Sequence, residues 1–143
     1  MFSRKKLIVG VFSLIIVVGN VGEADWKEDA QAIHISGGED HTLVLTENKF
    51  VWSCGSNGAY TFGQYRYGVL GTGSTDYSLI EETLTRVHGG AMNTAYLQDI
   101  NDVSAGWLHS LALDVNGFVW SWGWNSEGQC GNDESGNFVK DFA

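Results

Sequence analysis

A chain of 143 residues has room for one ordinary domain and too little for two large ones, and a 43% hydrophobic content excludes a disordered polymer. Nineteen glycines with no proline predict many tight turns in which glycine sets the bend. The formal net charge of −9 disfavours a role that begins with an approach to nucleic-acid phosphates.

Met1 to Ala24 reads as a secretory signal peptide. Arg4, Lys5 and Lys6 form the charged start, and Leu7 to Val18 form the apolar run. Gly22-Glu23-Ala24 then puts small residues at the two positions a signal peptidase reads, with cleavage expected after Ala24. An uncleaved anchor helix is the lesser reading, because the apolar run falls short of the ~20 residues that a bilayer span prefers. No cysteine follows that run, which excludes attachment at a lipobox. The expected mature chain, 25–143, is secreted or held in the cell envelope, touching the membrane only through the leader where that is retained.

Beyond the leader the sequence predicts short strands. Ala32-Ile33-His34-Ile35 is β-prone, and Gly38 to Leu45 follows with Leu43 and Leu45 in alternation. Thr46-Glu47-Asn48-Lys49 makes a turn into Phe50-Val51-Trp52-Ser53-Cys54-Gly55-Ser56-Asn57. An aromatic stretch, Ala59 to Tyr67, precedes the glycine-rich Gly68-Val69-Leu70-Gly71-Thr72-Gly73. Glu82 to Val87 reads as one more strand, although Ser78 to Leu84 also fits a helical turn. Ile100 to Val103 opens a second series. Gly106 to Leu113, the turn Asp114-Val115-Asn116-Gly117, Phe118 to Asn125 and Gly128-Gln129-Cys130-Gly131-Asn132 complete it. Asn116-Gly117 is a strong hairpin signal because both residues accept positive φ, and the Thr46–Lys49 turn should be a looser version of it.

The second series restates the first. Gly38, His41, Leu43, Leu45, Phe50, Val51, Trp52, Ser53, Gly55 and Asn57 recur without a gap as Gly106, His109, Leu111, Leu113, Phe118, Val119, Trp120, Ser121, Gly123 and Asn125. Such a period means stacked supersecondary units. The glycine-rich tails align as Gly68–Gly71 with Gly128–Gly131 once the aromatic stretch counts as an insertion; pairing Gly63-Gln64 with Gly128-Gln129 loses the second glycine. Cys54 then stands where Trp122 stands, and Cys130 where Leu70 stands. Places so unlike disfavour a disulfide, and both cysteines read as small apolar core residues.

The string Gly-x-x-His-[Ser/Thr]-Leu-x-Leu, a hairpin turn, Val-Trp-Ser-x-Gly-x-Asn and a Gly-x-x-Gly tail resembles the regulator-of-chromosome-condensation repeat. It stands here as Gly106 to Leu113, Val119 to Asn125 and Gly128 to Gly131, with the earlier unit a degraded copy, and it covers Ile33 to Asn132. The resemblance implies an all-β fold of β-propeller blades, each of about four short antiparallel strands, with two recognisable repeats of an expected seven (cores about 33–73 and 101–132). Fewer than about three repeats bury their faces poorly, so the resemblance implies an N-terminal fragment of a longer propeller or, less favoured, self-assembly to close the ring. An unmet face forgoes on the order of 2–3 kcal/mol per large side chain left wet.

Repeated positions argue for structure. Gly38, His41, Trp52 and Gly55 recur as Gly106, His109, Trp120 and Gly123, and a histidine held in register twice is expected to make a repeated hydrogen bond, with metal binding or catalysis the lesser reading. His34 and His88 have no partner at ligand spacing in the sequence. Glu81 and Glu82, or Asp133 and Glu134, would point to opposite faces of a strand and so make no acid–base pair. No nucleophile elbow, P-loop or dinucleotide fingerprint is present, and neither catalysis nor a cofactor is expected.

Non-repeated aromatics are the candidate binding residues. Tyr60, Phe62, Tyr65, Arg66 and Tyr67 give the insertion the composition of a recognition surface, the bland reading being that they cover a neighbouring blade. Trp107 and Trp124 face Glu39 and Ser56 at the equivalent places, so the repeat does not require them. The expected function is an exported propeller-type binding or scaffold module for a protein or surface polymer, without nucleic acid. Nucleotide exchange on a small GTPase, the activity of the family's founding member, is disfavoured by export and acidity, and no residue here matches the loops it needs. A carbohydrate-binding propeller, stacking sugars on the aromatic insertion, is the third reading.

Overall fold

In the computed structural model, residues 31–61, 64–74, 76 and 78–131 are described; the leader expected at 1–24 lies outside them. Among the described residues nine strands form, and the only helical element is a 3-10 turn, Gly90–Met92. Strands β1 (Ala32–Gly37), β2 (His41–Thr46), β3 (Val51–Ser56) and β6 (Ile80–Arg86) make one antiparallel sheet in the order β1-β2-β3-β6. Strands β7 (Ile100–Ala105), β8 (His109–Asp114) and β9 (Val119–Gly123) make a second, ordered β7-β8-β9. The four-strand unit expected from the sequence is complete in the first sheet, and the second shows the first three of its strands among the described residues. The segment that also fitted a helical turn is strand β6.

The sequence repeat is a register repeat. His41 pairs with Gly55 and Leu45 with Val51; in the second sheet His109 pairs with Gly123 and Leu113 with Val119. The first strand of each sheet carries the same bulge, between Ala32 and His34 and between Ile100 and Asp102. An extra residue at that point bends the strand and raises its twist.

The hairpin turns correct the sequence reading. Only Gly117 of the Asn116-Gly117 pair takes a positive φ, of 88°. Gly117 N donates to Asp114 O, and Asp114 N to Phe118 O, which makes a three-residue connection ending on a left-handed residue. The first sheet does not loosen this turn. Lys49 N donates to Thr46 O, Thr46 N to Phe50 O, and Lys49 itself adopts φ 66° where the second sheet has glycine.

Packing of one sheet on the other makes the core. Period-two alternation turns Leu43, Leu45 and Val51 of the first sheet towards the second, and Ile100, Val103, Ala112 and Trp122 of the second towards the first, and all of these are buried. Val87 and Leu97, on the link from β6 to β7, complete the cluster and are tied by Leu97 N donating to Val87 O at 2.9 Å.

The aromatic insertion is a hairpin of its own, not an irregular loop. Strands β4 (Gly58–Thr61) and β5 (Gln64–Tyr67) pair Tyr60 with Tyr65 and Gly58 with Tyr67. It springs from the tail of β3 and returns to Gly68, whose N–H donates to Asn57 O at 2.8 Å.

Candidate functional site

Each recurring glycine of the repeat has a steric reason. A Cβ on Gly38 would stand 2.2 Å from the His41 ring, and one on Gly106 would stand 2.1 Å from the His109 ring. Gly55 and Gly123 take φ 108° and 98°, and a Cβ there would strike the backbone oxygens of Asp40 and Leu108. One glycine thus lies against the imidazole and the other against the histidine's backbone, at one end of the sheet.

His41 points at the other sheet. Its Nε2 lies 3.0 Å from Ser110 Oγ, and that hydroxyl donates to Val69 O at 3.0 Å. With the serine proton committed to Val69, Nε2 carries the imidazole proton and Nδ1 is the bare nitrogen. Burial, helped by the charge of His109 and opposed by Asp40, lowers the His41 pKa from 6.5 to about 4, and burial lowers that of His109. His41 is a neutral strut between the sheets. Among the described residues no group of three or more His, Cys, Asp or Glu gathers to hold a metal ion.

Asn57 and Asn125 perform the second repeated task. Asn57 Oδ1 accepts from Leu70 N, and Asn125 Oδ1 from Cys130 N. Ser53 Oγ donates to Leu70 O and Ser121 Oγ to Cys130 O, each at 2.7 Å. Leu70 and Cys130 are therefore equivalent, which supports the preferred alignment of the tails. Both cysteines are free and half-buried, and burial raises each thiol's pKa, so neither is a ready nucleophile.

Some side-chain contacts were invisible to sequence spacing. His34 Nδ1 meets the Asp102 carboxylate, although in sequence His34 had no partner. Arg86 lies over the rings of Phe50, Trp52 and Tyr96, 4.5, 4.9 and 5.0 Å from their centroids. Asp114 accepts from Asn116 N, Phe118 N and Trp120 Nε1, closing the second hairpin turn. An acidic residue two positions before an Asn-Gly pair is the one signal that could have shown the last of these.

The non-repeated tryptophans come together at the histidine end. Trp107 sits in the β7–β8 loop and is 45% exposed. Trp124, just past β9, meets it edge to face, with centroids 5.8 Å apart and planes at 78°. Below, Trp124 packs on Val69, Leu70 and Leu108. Glu39 N donates to Trp107 O at 3.4 Å, so the corresponding loop of the first sheet stands alongside. Glu39, Asp40 and Glu127 are exposed around this end, from which the β4–β5 hairpin also rises. The backbone positions of Tyr60, Tyr65, Arg66 and Tyr67 lie on that hairpin, and Phe62 falls outside the described residues.

The profile of the regulator of chromosome condensation (RCC1) repeat matches residues 32–64 and 100–129. The ultraviolet-B receptor UVR8 of Arabidopsis thaliana is 33% identical over 116 residues, which are 79% of this chain and 24% of the receptor. A protein RCC2 homolog of Danio rerio is 31% identical over 102 residues, 71% of this chain and 17% of that protein. The chain thus spans about a quarter or less of these relatives. Among solved structures, human WBSCR16 superposes with a TM-score of 0.54 at 28% identity, covering 78% of this chain and 25% of that one. Yeast RCC1 (Prp20), solved with Kap60 bound, gives 0.52 at 21% identity, covering 78% of this chain and 24% of that one. The two sheets are therefore blades of the β-propeller fold.

Proposed function

Because the chain belongs to the RCC1 repeat family, carrying two of its repeats as neighbouring blades, we propose that it serves as a propeller-type module for binding another protein. The binding surface is the histidine end of the blades, centred on Trp107 and Trp124. One observation carries this reading: a solvent-exposed indole held edge to face on a second one, at positions where the other blade has Glu39 and Ser56. Repeat architecture does not need aromatics there, and tryptophan is the residue most enriched where partners are gripped. The acidic fringe of Glu39, Asp40 and Glu127 favours a partner that offers a basic segment.

One solved propeller of this fold, yeast Prp20, supports protein as the ligand class: it was crystallised with Kap60 and is described by its binding to Gsp1p and histones. Those partners belong to that protein. The charge pattern of residues 1–24 supports an exported setting, secreted or at the cell envelope, where the partner is a protein or a surface polymer. The proposed role is binding without catalysis.

The test is affinity capture with one partner identified, followed by its Kd for the parent chain and for Trp107→Ala and Trp124→Ala. Loss of tenfold or more in each variant, with the circular dichroism unchanged, supports the assignment. Equal affinity in all three overturns it. Glycan binding abolished by Tyr65→Ala and Tyr67→Ala would replace it with the carbohydrate reading, and faster nucleotide release from a small GTPase would replace it with exchange.

A further inference from the structure

We infer that Asn116 is a site of spontaneous covalent modification, at which the side chain closes on the Gly117 backbone nitrogen and water converts the asparagine to aspartate or isoaspartate. Two Asn-Gly pairs occur in the chain, Asn57-Gly58 and Asn116-Gly117. Glycine in the second place matters because the attacking nitrogen must come close to the carboxamide carbon, and no Cβ stands in the way. The sequence makes the two pairs equal, and the fold separates them.

Asn57 is held out of the reaction. It is fully buried, its Nδ2 donates to Ser74 O and Asp76 O at 3.0 Å each, and its Oδ1 accepts from Leu70 N at 3.3 Å. Gly58 is paired with Tyr67 in the β4–β5 hairpin. Turning the carboxamide towards Gly58 would leave those partners unmet inside the protein. None of these restraints acts on Asn116. It stands at the tip of the β8–β9 turn, where every residue from Val115 to Val119 is exposed, and its carboxamide makes no hydrogen bond among the described residues. A Cβ built on Gly117 meets nothing within 4 Å, so water reaches the pair freely. The Gly117 N–H is tied to Asp114 O at 3.2 Å, a longer bond than the 2.9 Å one from Asp114 N to Phe118 O in the same turn.

The step needs no reactant besides water. Gly117 N bonds to Asn116 Cγ and gives up its proton through solvent, while the carboxamide nitrogen takes one and leaves as ammonia. Water then opens the five-membered imide. Cleavage between Gly117 N and Cγ gives aspartate, and cleavage between Gly117 N and the Asn116 main-chain carbonyl gives isoaspartate, with the chain running through Cγ. One water is consumed, one ammonia is released and nothing is oxidised or reduced. The product falls on the anchor of the turn, because the buried Asp114 accepts from Asn116 N, Phe118 N and Trp120 Nε1. Either product sets a second carboxylate two residues from Asp114, and isoaspartate adds one carbon to the main chain between two of those donors. The β8–β9 connection therefore loosens as the protein ages.

Storage of the whole folded chain for weeks at neutral pH and body temperature, followed by tryptic mapping, tests this. Cleavage after Lys49, Arg66, Arg86 and Lys140 puts Asn57 in peptide 50–66 and Asn116 in peptide 87–140, and fragmentation assigns the residue. A mass gain of one dalton at Asn116, partly as isoaspartate, is expected, with Asn57 slower by about a hundredfold or more. In the urea-unfolded chain the two pairs are expected to react at comparable rates. Gly117→Ala should slow the reaction about tenfold or more, and Asn116→Ser should abolish it there. The acidic form, separated by anion exchange, is expected to unfold a few degrees below the parent chain. Asn116 intact in the folded chain while it reacts in urea would show that the turn protects it and overturns the inference. Asn57 reacting as fast as Asn116 in the folded chain overturns the argument from burial, and an acidic form with the parent's thermal midpoint overturns the loosening of the turn.

Discussion

His41 of the first blade reaches across to Ser110 of the second at 3.0 Å, and the serine hydroxyl in turn donates a hydrogen bond to Val69 O. One residue type of the repeat thereby fixes the register of the next repeat. Ser110→Ala leaves a buried imidazole N–H without an acceptor, and His41→Ala empties the space beside Gly38. Each is expected to cost about 1–3 kcal/mol in urea unfolding. A double-mutant cycle should return a coupling of ~1 kcal/mol, because both substitutions remove one bond. Additivity would show that the contact contributes nothing.

The same imidazole sets an acid limit. Its folded pKa of about 4 lies below the unfolded value of 6.5, so between these values the unfolded chain holds a proton that the folded chain refuses. Stability is complete above pH 6.5 and falls as pH drops, with a slope of up to ~1.4 kcal/mol per pH unit. His109 shifts in the same direction and adds to the upper part of that window. Denaturant midpoints from pH 7.5 to 4 should show the decline, and His41→Gln should flatten it. An unchanged slope in that variant would assign the acid sensitivity to other groups.

Lys49 and Gly117 occupy the same left-handed turn position, at φ 66° and 88°. A lysine there carries a backbone cost that glycine escapes, while its exposed contact from Nζ to Asn101 Oδ1 is worth little. Lys49→Gly is expected to stabilise the chain by ~0.5 kcal/mol. Gly117→Ala, with open space around the new methyl, should cost ~1 kcal/mol. Gly55→Ala should cost more than ~2 kcal/mol, since its Cβ would also lie 2.2 Å from Asp40 O. Thermal midpoints of the three variants check the order.

What the sequence made legible follows from what repeats. His41 with His109, Gly55 with Gly123 and Asn57 with Asn125 marked the strands, their register and the alignment of the tails, because each performs a task that every blade must perform. Pairings across blades left no such trace. The contact of His34 with Asp102 depends on which blade lies next, and the Arg86 stack forms on Phe50 and Trp52 of its own blade and on Tyr96 of the link to the second. The turn was misread for a related reason: Asn116-Gly117 suggests two left-handed residues, but the Asp114 carboxylate binds Asn116 N and Phe118 N and draws the chain into a longer connection. The Trp107–Trp124 pair was visible as two exceptions to the repeat, and their contact was not.

Stability and binding separate at the β4–β5 hairpin. In the second blade only Ser126 and Glu127 join Asn125 to Gly128, whereas in the first the hairpin intervenes between Asn57 and Gly68. Asn57 is fully buried, donating to Ser74 O and Asp76 O and accepting from Leu70 N. Asn57→Ala is therefore expected to cost about 2–4 kcal/mol by leaving several backbone groups unmet. Excising 59–66 instead leaves Gly58 and Tyr67 to bridge Asn57 and Gly68, the same length as the other blade uses, so the thermal midpoint should move by no more than a few degrees. If the insertion belongs to the binding surface, that shortened chain folds normally and loses affinity for the partner that Trp107→Ala also weakens. Retained affinity would confine recognition to the tryptophan pair, and a collapsed midpoint would make the hairpin a brace for the first blade.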